Sequence, residues 1–231
     1  MPLAGAVAFI GYREWTESLG PDREWFIQAV QAKTYQVIQM LTADFDGVAL
    51  PLRYDVQLVL LPPDADVRGY VGRLKEALKP YSPTPVKVTL LCGEVPDVLK
   101  RVRMFNGVED VIEECVDGGE VAVAHADLNY FTRRTCERGP YVTYAEMMRL
   151  ISEFVSELED VAAVQYLGGD NVVAITSPSR LDKVLKTLAG RDGIKVGVGV
   201  SPRPREAFAK AAEALARIRE GGRRVKYLVI R

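Results

Sequence analysis

Two aspartates, Asp127 and Asp170, are the residues of this sequence whose type and position best fit chemistry. Asp127 ends the apolar run VAVAHA, and Asp170 follows Gly168-Gly169 in a short turn between two apolar runs. Glycine lets a backbone approach a nucleotide closely, and Mg²⁺ prefers few carboxylates plus substrate oxygens. The pattern predicts that Asp127 and Asp170 hold Mg²⁺ against a triphosphate. The alternative is an ordinary turn with a solvated aspartate, because such turns favour these residues anyway.

Two further side chains near these aspartates could take part in chemistry. His125 alternates with Asp127 along a predicted strand, so the two can share a face, and a histidine can act as a general base near neutral pH. A packed strand histidine is the alternative. Lys195 precedes the run Gly197-Val198-Gly199 and could reach a phosphate, but the matching Lys87 earlier in the chain favours a surface role equally well.

The supply of metal ligands excludes several kinds of site. His125 is the single histidine, and Cys92, Cys115 and Cys136 are widely spaced with no C-x-x-C motif. A Cys/His zinc site of the usual spacing therefore cannot form, and any catalytic triad would need His125. Because three cysteines leave one unpaired, we expect buried free thiols in a reducing compartment.

The overall composition indicates a soluble globular protein, and any phosphate-bearing partner must be small. Of the 231 residues, 48% are hydrophobic, and 30 Lys+Arg balance 31 Asp+Glu. The net charge of -1 argues against a duplex nucleic-acid partner, which requires a strong positive field. No apolar run approaches the ~20 residues of a membrane helix, and the first residues lack the features of a secretory signal. We therefore expect a cytoplasmic protein with no membrane or nucleic-acid partner.

The chain repeats a pattern of predicted elements twice. Asp170 lies 115 residues after Asp55, each in the turn of a predicted hairpin, and Lys195 lies 108 residues after Lys87. We align Gly11 with Asp127 at a similar offset of 116 residues. These near-constant offsets predict an internal duplication, with halves at 1–117 and 118–231 joined near the turn 117–119.

Each half is predicted to be an α+β unit with the order β-α-β-β-α-β, so the fold class is two tandem ferredoxin-like halves. The predicted helices cover residues 22–41, 66–78, 143–158, 180–188 and 204–220, and a last strand covers 225–230. In this topology the first and third strands are antiparallel neighbours, so Asp127 and Asp170 should meet at one sheet edge. The first half offers only Asp55 there, with Gly11 as its partner. The basic cluster 219–226 is predicted to be a solvated helix end.

Several motifs together resemble the archaeal GTP cyclohydrolase III family. They are YREWT at 12–16, PDREW at 21–25, RYDVQLVLL at 53–61, AHADLNYFT at 124–132, YLGGDNVVAIT at 166–176 and IKVGVGV at 194–200. The resemblance spans nearly the whole chain and implies a fused pair of nucleotide-cyclase or GGDEF-type palms. It further implies Mg²⁺-dependent hydrolysis of GTP to 2-amino-5-formylamino-6-ribofuranosylamino-4(3H)-pyrimidinone 5'-phosphate and phosphate, early in archaeal flavin and deazaflavin synthesis.

The same resemblance suggests roles for individual residues. It implies that Asn129, Asn171 and the backbone of Gly168 and Gly169 position the nucleotide. The first half would supply a pocket wall through three residues, which are Arg53, Tyr54 and Asp55. Apolar sheet faces and strand edges, together with the resemblance, predict a homo-oligomer.

Two departures from the family pattern keep other functions open. Gly11 stands where an acidic residue is common, and Val56 stands where an asparagine is usual. A nucleotidyl cyclase of the GGDEF type is one alternative, although it would normally carry a second acidic residue at the position of Asn171. A nucleotide-binding regulatory module without turnover is the other alternative, which Gly11 favours.

Overall fold

The protein is described by a computed structural model that covers residues 2–103, 107–115 and 118–231 and forms two compact units. The first unit consists of Met1–Gly93, Asp97–Gly119 and Arg203–Arg205, and the second consists of Glu94–Pro96, Glu120–Pro202 and Glu206–Arg231. Asp117, at the predicted join, lies outside the described residues. Each unit is built around one five-stranded sheet.

The described residues of the first unit form five strands and four helices, except that the start of the fourth helix is assigned to the second unit. The elements of the first unit are β1 (Leu3–Phe9), α1 (Tyr12–Ser18), α2 (Glu24–Asp44), β2 (Val48–Arg53), β3 (Val56–Leu61), α3 (Val67–Leu78), β4 (Val86–Cys92), α4 (Val95–Arg101) and β5 (Val111–Ile112). The sheet order is β2-β3-β1-β4-β5, with β1 antiparallel to both β3 and β4. Every residue of β1 is buried, as expected for a central strand.

The second unit repeats this arrangement. Its elements are β6 (Val121–Leu128), α5 (Phe131–Arg138), α6 (Pro140–Leu158), β7 (Ala163–Gly168), β8 (Asn171–Thr176), α7 (Leu181–Leu188), β9 (Ile194–Ser201), α8 (Pro204–Glu220) and β10 (Tyr227–Ile230). The sheet order is β10-β9-β6-β8-β7, and β6 is antiparallel to β8 and β9. The same strand order therefore occurs twice, which confirms the predicted α+β fold of two ferredoxin-like halves.

The predicted helices are confirmed, and the structure corrects some of their ends. The helix predicted at 204–220 has those bounds, whereas the one predicted at 22–41 is α2, and the short α1 before it was not predicted. Near the start of α2, the apolar side chain of Trp25 is 67% exposed. The core-facing part of α2 instead centres on Ile38, which is fully buried.

The two faces of the second sheet are covered by different helices. Alternate residues of β6, among them Ala122, Ala124 and Ala126, belong to the apolar core with Phe154 of α6 and Leu188 of α7. Side chains of a strand alternate between faces, so His125 and Asp127 lie on the opposite face. In the middle of the sheet, that face is the one against which α8 packs.

Two glycines of β9 allow α8 to lie directly on the strand. A Cβ atom at Gly197 would come 2.2 Å from the carbonyl oxygen of Ala211, and one at Gly199 would come 2.0 Å from that of Ala207. Because real Cβ atoms do not approach backbone oxygens so closely, only glycine fits at either position. The close approach fixes the position of α8 relative to the strand pair that carries Asp127.

A disulfide in the first unit corrects the expectation about cysteines. Cys92, at the end of β4, is bonded to Cys115, and Cys136 is free and exposed. The prediction of buried free thiols was therefore wrong, since an odd number of cysteines does not prevent two of them from pairing.

No helix in the described part of the chain combines the length and the apolar character needed to cross a membrane.

Candidate functional site

The predicted meeting of Asp127 and Asp170 occurs in the structure. Asp127 lies at the end of β6, and Asp170 lies in the turn between β7 and β8, next to the start of the strand that pairs with β6. Asp127 is only 3% exposed. The two carboxyl groups are close enough that the charge of Asp127 contributes to raising the pKa of Asp170.

The Gly-Gly-Asp-Asn turn is held in one conformation by its own hydrogen bonds. Gly168 and Gly169 have φ values of 104° and 61°, which residues other than glycine rarely adopt. The side-chain Nδ2 of Asn171 donates to the carbonyl oxygen of Gly168 at 3.3 Å and to Oδ1 of Asp170 at 3.2 Å. A Cβ atom at Gly168 would meet nothing within 4 Å, so the backbone there is open to a ligand.

His125 contacts this turn from the strand next to it. Its Nε2 atom lies 2.9 Å from Oδ1 of Asn171, and Asn171 accepts the hydrogen bond when Nε2 carries the proton. Burial lowers the pKa of His125, although the hydrogen bond with Asn171 opposes that shift. A neutral imidazole at neutral pH follows from the lowered pKa. His125 is thus linked through Asn171 to Asp170.

Two arginines that sequence reasoning assigned to solvent bind Asp127. Nη2 of Arg219 donates to Oδ1 of Asp127 at 2.5 Å, and Nη1 of Arg223 donates to Oδ2 at 3.0 Å. Nη1 of Arg223 also donates to Oδ1 of Asn129 at 2.5 Å. The prediction of a solvated helix end was therefore wrong for these two residues. A basic helix end has the same composition whether it faces water or a carboxylate, so the sequence carried no signal for these contacts.

The chain turns sharply after α8 to bring Arg223 back to the sheet. Gly222 and Arg223 both have left-handed backbones, with φ values of 70° and 59°. The amide of Arg223 donates to the carbonyl oxygen of Ile218 at 2.8 Å, which closes the end of the helix. A left-handed arginine costs conformational energy, so its contacts with Asp127 and Asn129 must compensate for that cost.

Asp127 and Asp170 are two carboxylates close together in a partly buried site. Burial, followed by the charge of Asp127, raises the pKa of Asp170, and the nearby Arg219 opposes the shift. Lys195 lies directly opposite Asp127 in the pairing of β6 with β9, so its side chain is on the same face. A cation at this edge would relieve the repulsion between the carboxylates.

These residues border an open cavity of about 460 Å³ within the second unit. Its lining consists of Asp127, Leu128, Tyr130, Phe131, Thr132, Asp170, Asn171, Arg219 and Arg223. Arg223 also lies over the ring of Tyr130, with 5.9 Å between the guanidinium carbon and the ring centroid. The cavity therefore combines two carboxylates, two guanidinium groups and one aromatic face.

The donor set fits Mg²⁺ bound together with a phosphate ligand. Within residues 2–103, 107–115 and 118–231, no three histidine, cysteine, aspartate or glutamate side chains are grouped to hold a metal ion. Asp127 and Asp170 provide only two carboxylates. Mg²⁺ is commonly held by one or two carboxylates plus substrate phosphates, whereas a structural zinc site needs four protein ligands.

The first unit has a different arrangement at the equivalent positions. Ala8 faces Lys87 in the pairing of β1 with β4, as Asp127 faces Lys195 in the second unit. Ala8 is fully buried in an apolar cluster with Ala6 and Val56. Val56 begins β3 as Asn171 begins β8, so both polar residues of the second site are replaced by apolar ones.

The alignment of Gly11 with Asp127 was wrong. Gly11 has a left-handed backbone directly before α1, and Tyr130 has one directly before α5, so these two residues correspond. Ala8 lies three residues before Gly11, as Asp127 lies three residues before Tyr130. The missing carboxylate of the first unit is therefore at Ala8.

The three predicted pocket-wall residues lie together in hairpin β2–β3 of the first unit. Nε and Nη2 of Arg53 donate to the two carboxylate oxygens of Asp55 at 2.8 and 2.5 Å. Tyr54 is exposed between them. The carboxylate in the turn is thus bound by an arginine of its own hairpin.

Comparison with known proteins assigns the whole chain to one group. A family model described as GTP cyclohydrolase III matches residues 4–231. A protein of Aeropyrum pernix named GTP cyclohydrolase III is 38% identical over 216 residues, which cover 91% of this chain and 89% of that protein. Proteins of the same name from Pyrobaculum aerophilum and Saccharolobus islandicus are 33% and 30% identical, and the matches cover 92–93% of each chain.

Solved structures similar to this chain match about half of it. A GGDEF domain from Pseudomonas aeruginosa is 14% identical with a TM-score of 0.42, covering 49% of this chain and 85% of that one. The GGEEF domain of a diguanylate cyclase from Vibrio cholerae is 13% identical with a TM-score of 0.41, covering 49% and 84%.

Proposed function

Because the chain belongs to the GTP cyclohydrolase III family, we propose that it is a GTP cyclohydrolase that uses Mg²⁺. The products are 2-amino-5-formylamino-6-ribofuranosylamino-4(3H)-pyrimidinone 5'-phosphate and phosphate, made early in archaeal flavin and deazaflavin synthesis. The observation that carries the proposal is the pair Asp127 and Asp170 on the wall of one cavity. A product that keeps its formyl group requires hydrolysis of the C8–N9 bond, and a 5'-monophosphate formed with release of phosphate requires water to attack the triphosphate once for each phosphate that leaves.

Asp127 and Asp170 hold Mg²⁺ in this proposal. The bound ion supplies positive charge that polarises the phosphates and activates water. The two aspartates fix its position because β6 and the turn before β8 are both anchored in the sheet. Asn171 keeps the carboxylate of Asp170 oriented through its 3.2 Å hydrogen bond.

Arg219 and Arg223 bind the triphosphate, since guanidinium groups recognise phosphate oxygens in a bidentate manner. Both line the same cavity as the aspartates. Asn129 and Lys195 contribute at the same edge. The open backbone at Gly168 and Gly169 lets the nucleotide approach without a clash. Arg53, Tyr54 and Asp55 stay predictions as nucleotide contacts.

His125 acts through Asn171 as a positioning residue in this proposal. Its Nε2 atom is engaged with the Asn171 side chain, and its lowered pKa keeps it neutral. A neutral donor at Nε2 fixes which way the Asn171 amide points, and thereby its bond to Asp170. A cytoplasmic location, a homo-oligomeric state and the absence of nucleic-acid partners stay predictions.

The test is incubation of the purified protein with GTP and Mg²⁺. We expect an absorbance change typical of a formylaminopyrimidine together with free phosphate, and we expect EDTA to abolish both. A cyclic or dinucleotide product would instead support a nucleotidyl cyclase, and tight GTP binding without product would support a regulatory module. In the variant Asp170→Asn, which lacks one of the two carboxylates, the absorbance change and the release of phosphate should both fall to background.

A further inference from the structure

The carboxylate of Asp127 is fully engaged by arginine. Each of its oxygens accepts a hydrogen bond from a different guanidinium group, Arg219 on Oδ1 and Arg223 on Oδ2. The side chain of Asp127 is nearly inaccessible to solvent. A divalent cation that approaches Asp127 therefore meets two positive groups that already hold its ligand.

The charges of the site give a free cation little attraction. Asp127 and Asp170 are two carboxylates, and Arg219 and Arg223 are two guanidinium groups, so together they carry no net charge. Lys195, directly opposite Asp127 in the strand pairing, adds a further positive group. A triphosphate reverses this balance, because it brings several negative charges that both the arginines and the cation can bind.

We propose that Arg219 and Arg223 keep Asp127 from binding a divalent cation until a triphosphate arrives, when the arginines transfer to the phosphates and the cation takes Asp127. This exchange rests on the proposed function and goes beyond it, because it states that the cation and the triphosphate bind as a coupled pair. The arginines therefore have two partners in turn, the carboxylate and then the phosphate.

The positions of the arginines allow the exchange without movement of the helix. The side chains of Arg219 and Arg223 are 46% and 25% exposed, and both line the cavity together with Asp170. A rotation about side-chain bonds moves a guanidinium group by several ångströms. The sheet and the glycine contacts of α8 keep the backbone in place during that rotation.

The exchange predicts opposite effects of arginine removal on two binding reactions. In the absence of nucleotide, the double variant Arg219→Gln/Arg223→Gln should bind Mn²⁺ about ten-fold more tightly than the wild type, because Asp127 is released. The same variant should bind guanosine 5'-(β,γ-imido)triphosphate more weakly. A simple phosphate-binding role would weaken nucleotide binding and leave the affinity for Mn²⁺ alone unchanged.

The experiment is a titration of the full chain with Mn²⁺ alone, followed by electron paramagnetic resonance of the free ion. Arg217→Gln is the matched control, because Arg217 is in the same helix and pairs with Glu213 at 2.5 Å rather than with Asp127. The control should keep the wild-type affinity for Mn²⁺. Equal Mn²⁺ affinity in the wild type and the double variant would overturn the proposal.

A second measurement covers the case in which the double variant does not fold. Asp127→Asn weakens the hold on both arginines, so we expect it to bind inorganic tripolyphosphate more tightly than the wild type in the absence of metal. An unchanged or lower affinity contradicts the exchange. Neither titration uses GTP turnover, so a failure of the exchange and a failure of the proposed enzyme activity can be told apart.

Discussion

In the second unit, Asp127 near the end of β6 is bound by Arg219 of α8 and by Arg223 just after that helix, whereas the corresponding residue of the first unit is Ala8 in an apolar cluster. The turn aspartates differ as well. Asp170 lies against Asp127, but Asp55 is bound by Arg53 of the same hairpin. Two sheets with one strand order can therefore carry a polar site or a packed core at the same edge.

The lengths of the helices after the fourth strand explain part of this difference. The 17 residues of α8 span about 25 Å, close to the roughly 26 Å of the eight-residue strand β6. The helix begins just after Ser201, which pairs with Val121 at the opposite end of β6 from Asp127. It can therefore return along the strand to Asp127. The seven residues of α4 span only about 10 Å.

The largest expected effect tests whether catalysis depends on the second unit alone. Asp127→Asn and Asp170→Asn should each lower kcat by at least about 100-fold, because the site loses a charged metal ligand. Asp55→Asn is the matched change in the first unit and should alter kcat by no more than about threefold, since this carboxylate is bound by Arg53 and holds no metal ion in our proposal; a nucleotide contact there would change KM instead. Steady-state kinetics measure kcat, and circular dichroism checks that each variant is folded. An equal loss of kcat in Asp55→Asn would show that catalysis does not depend on the second unit alone.

The next effect tests whether the first unit tolerates a carboxylate at the same strand position. Ala8→Asp should lower the free energy of unfolding by about 3 kcal/mol, because it forces a carboxylate into the apolar cluster of Ala6 and Val56, a cost that Lys87 opposite Ala8 offsets only in part. Urea denaturation measures the change. The reciprocal variant Asp127→Ala should cost less than half as much, since its arginines can return to water. Similar losses of unfolding free energy in the two variants would show that Ala8 and Asp127 do not lie in different environments.

The third effect tests the disulfide, which lies in the first unit. The double variant Cys92→Ser/Cys115→Ser should lose about 3 kcal/mol of unfolding free energy, because the bond closes a loop between residues 23 apart in sequence. Cys136→Ser, at an exposed free cysteine of the second unit, should change it by less than about 0.5 kcal/mol. A wild type whose stability is the same with and without dithiothreitol contradicts this expectation.

The smallest effect concerns pH. The raised pKa of Asp170 means that the folded protein binds this proton more tightly than the unfolded chain does, so its stabilising contribution is present at low pH and is lost as pH rises through the raised pKa. Asp170→Asn should therefore raise the Tm of the ligand-free protein at neutral pH, with the gain shrinking as pH falls through the raised pKa towards the ordinary range of a carboxyl group. Asp55→Asn, which loses an ion pair, should give no such gain, and scanning calorimetry compares the two.

Much of the fold was predictable because hydrophobic periodicity and internal repetition are local properties of the sequence. The hairpins around Asp55 and Asp170 and the helix 204–220 were found in this way. The meeting of Asp127 and Asp170 followed from the topology, since antiparallel neighbours bring distant residues together. The helix α1 was missed because it is short and has no buried residue to create a period.

The remaining features depend on distances that the sequence does not contain. Arg219 and Arg223 bind Asp127 because α8 is long enough to reach it, and the composition of the helix end alone does not reveal this. The pairing of Cys92 with Cys115 depends on the path of the chain between them. The misalignment of Gly11 with Asp127 arose because a near-constant offset was assumed, whereas Asp55 lies 47 residues after Ala8 and Asp170 lies 43 residues after Asp127.

The contact between α8 and β9 also limits which substitutions the protein tolerates far from the cavity. A methyl group at Gly197 or Gly199 would have to lift the helix axis by an ångström or more, because the atoms it meets are backbone rather than flexible side chains. The two guanidinium groups at the far end of α8 would be carried with it, out of hydrogen-bond range of an immobile carboxylate. The geometry of the site therefore depends on the absence of a side chain at these two positions of β9. Alanine at either glycine should alter nucleotide binding, although neither glycine contacts the nucleotide.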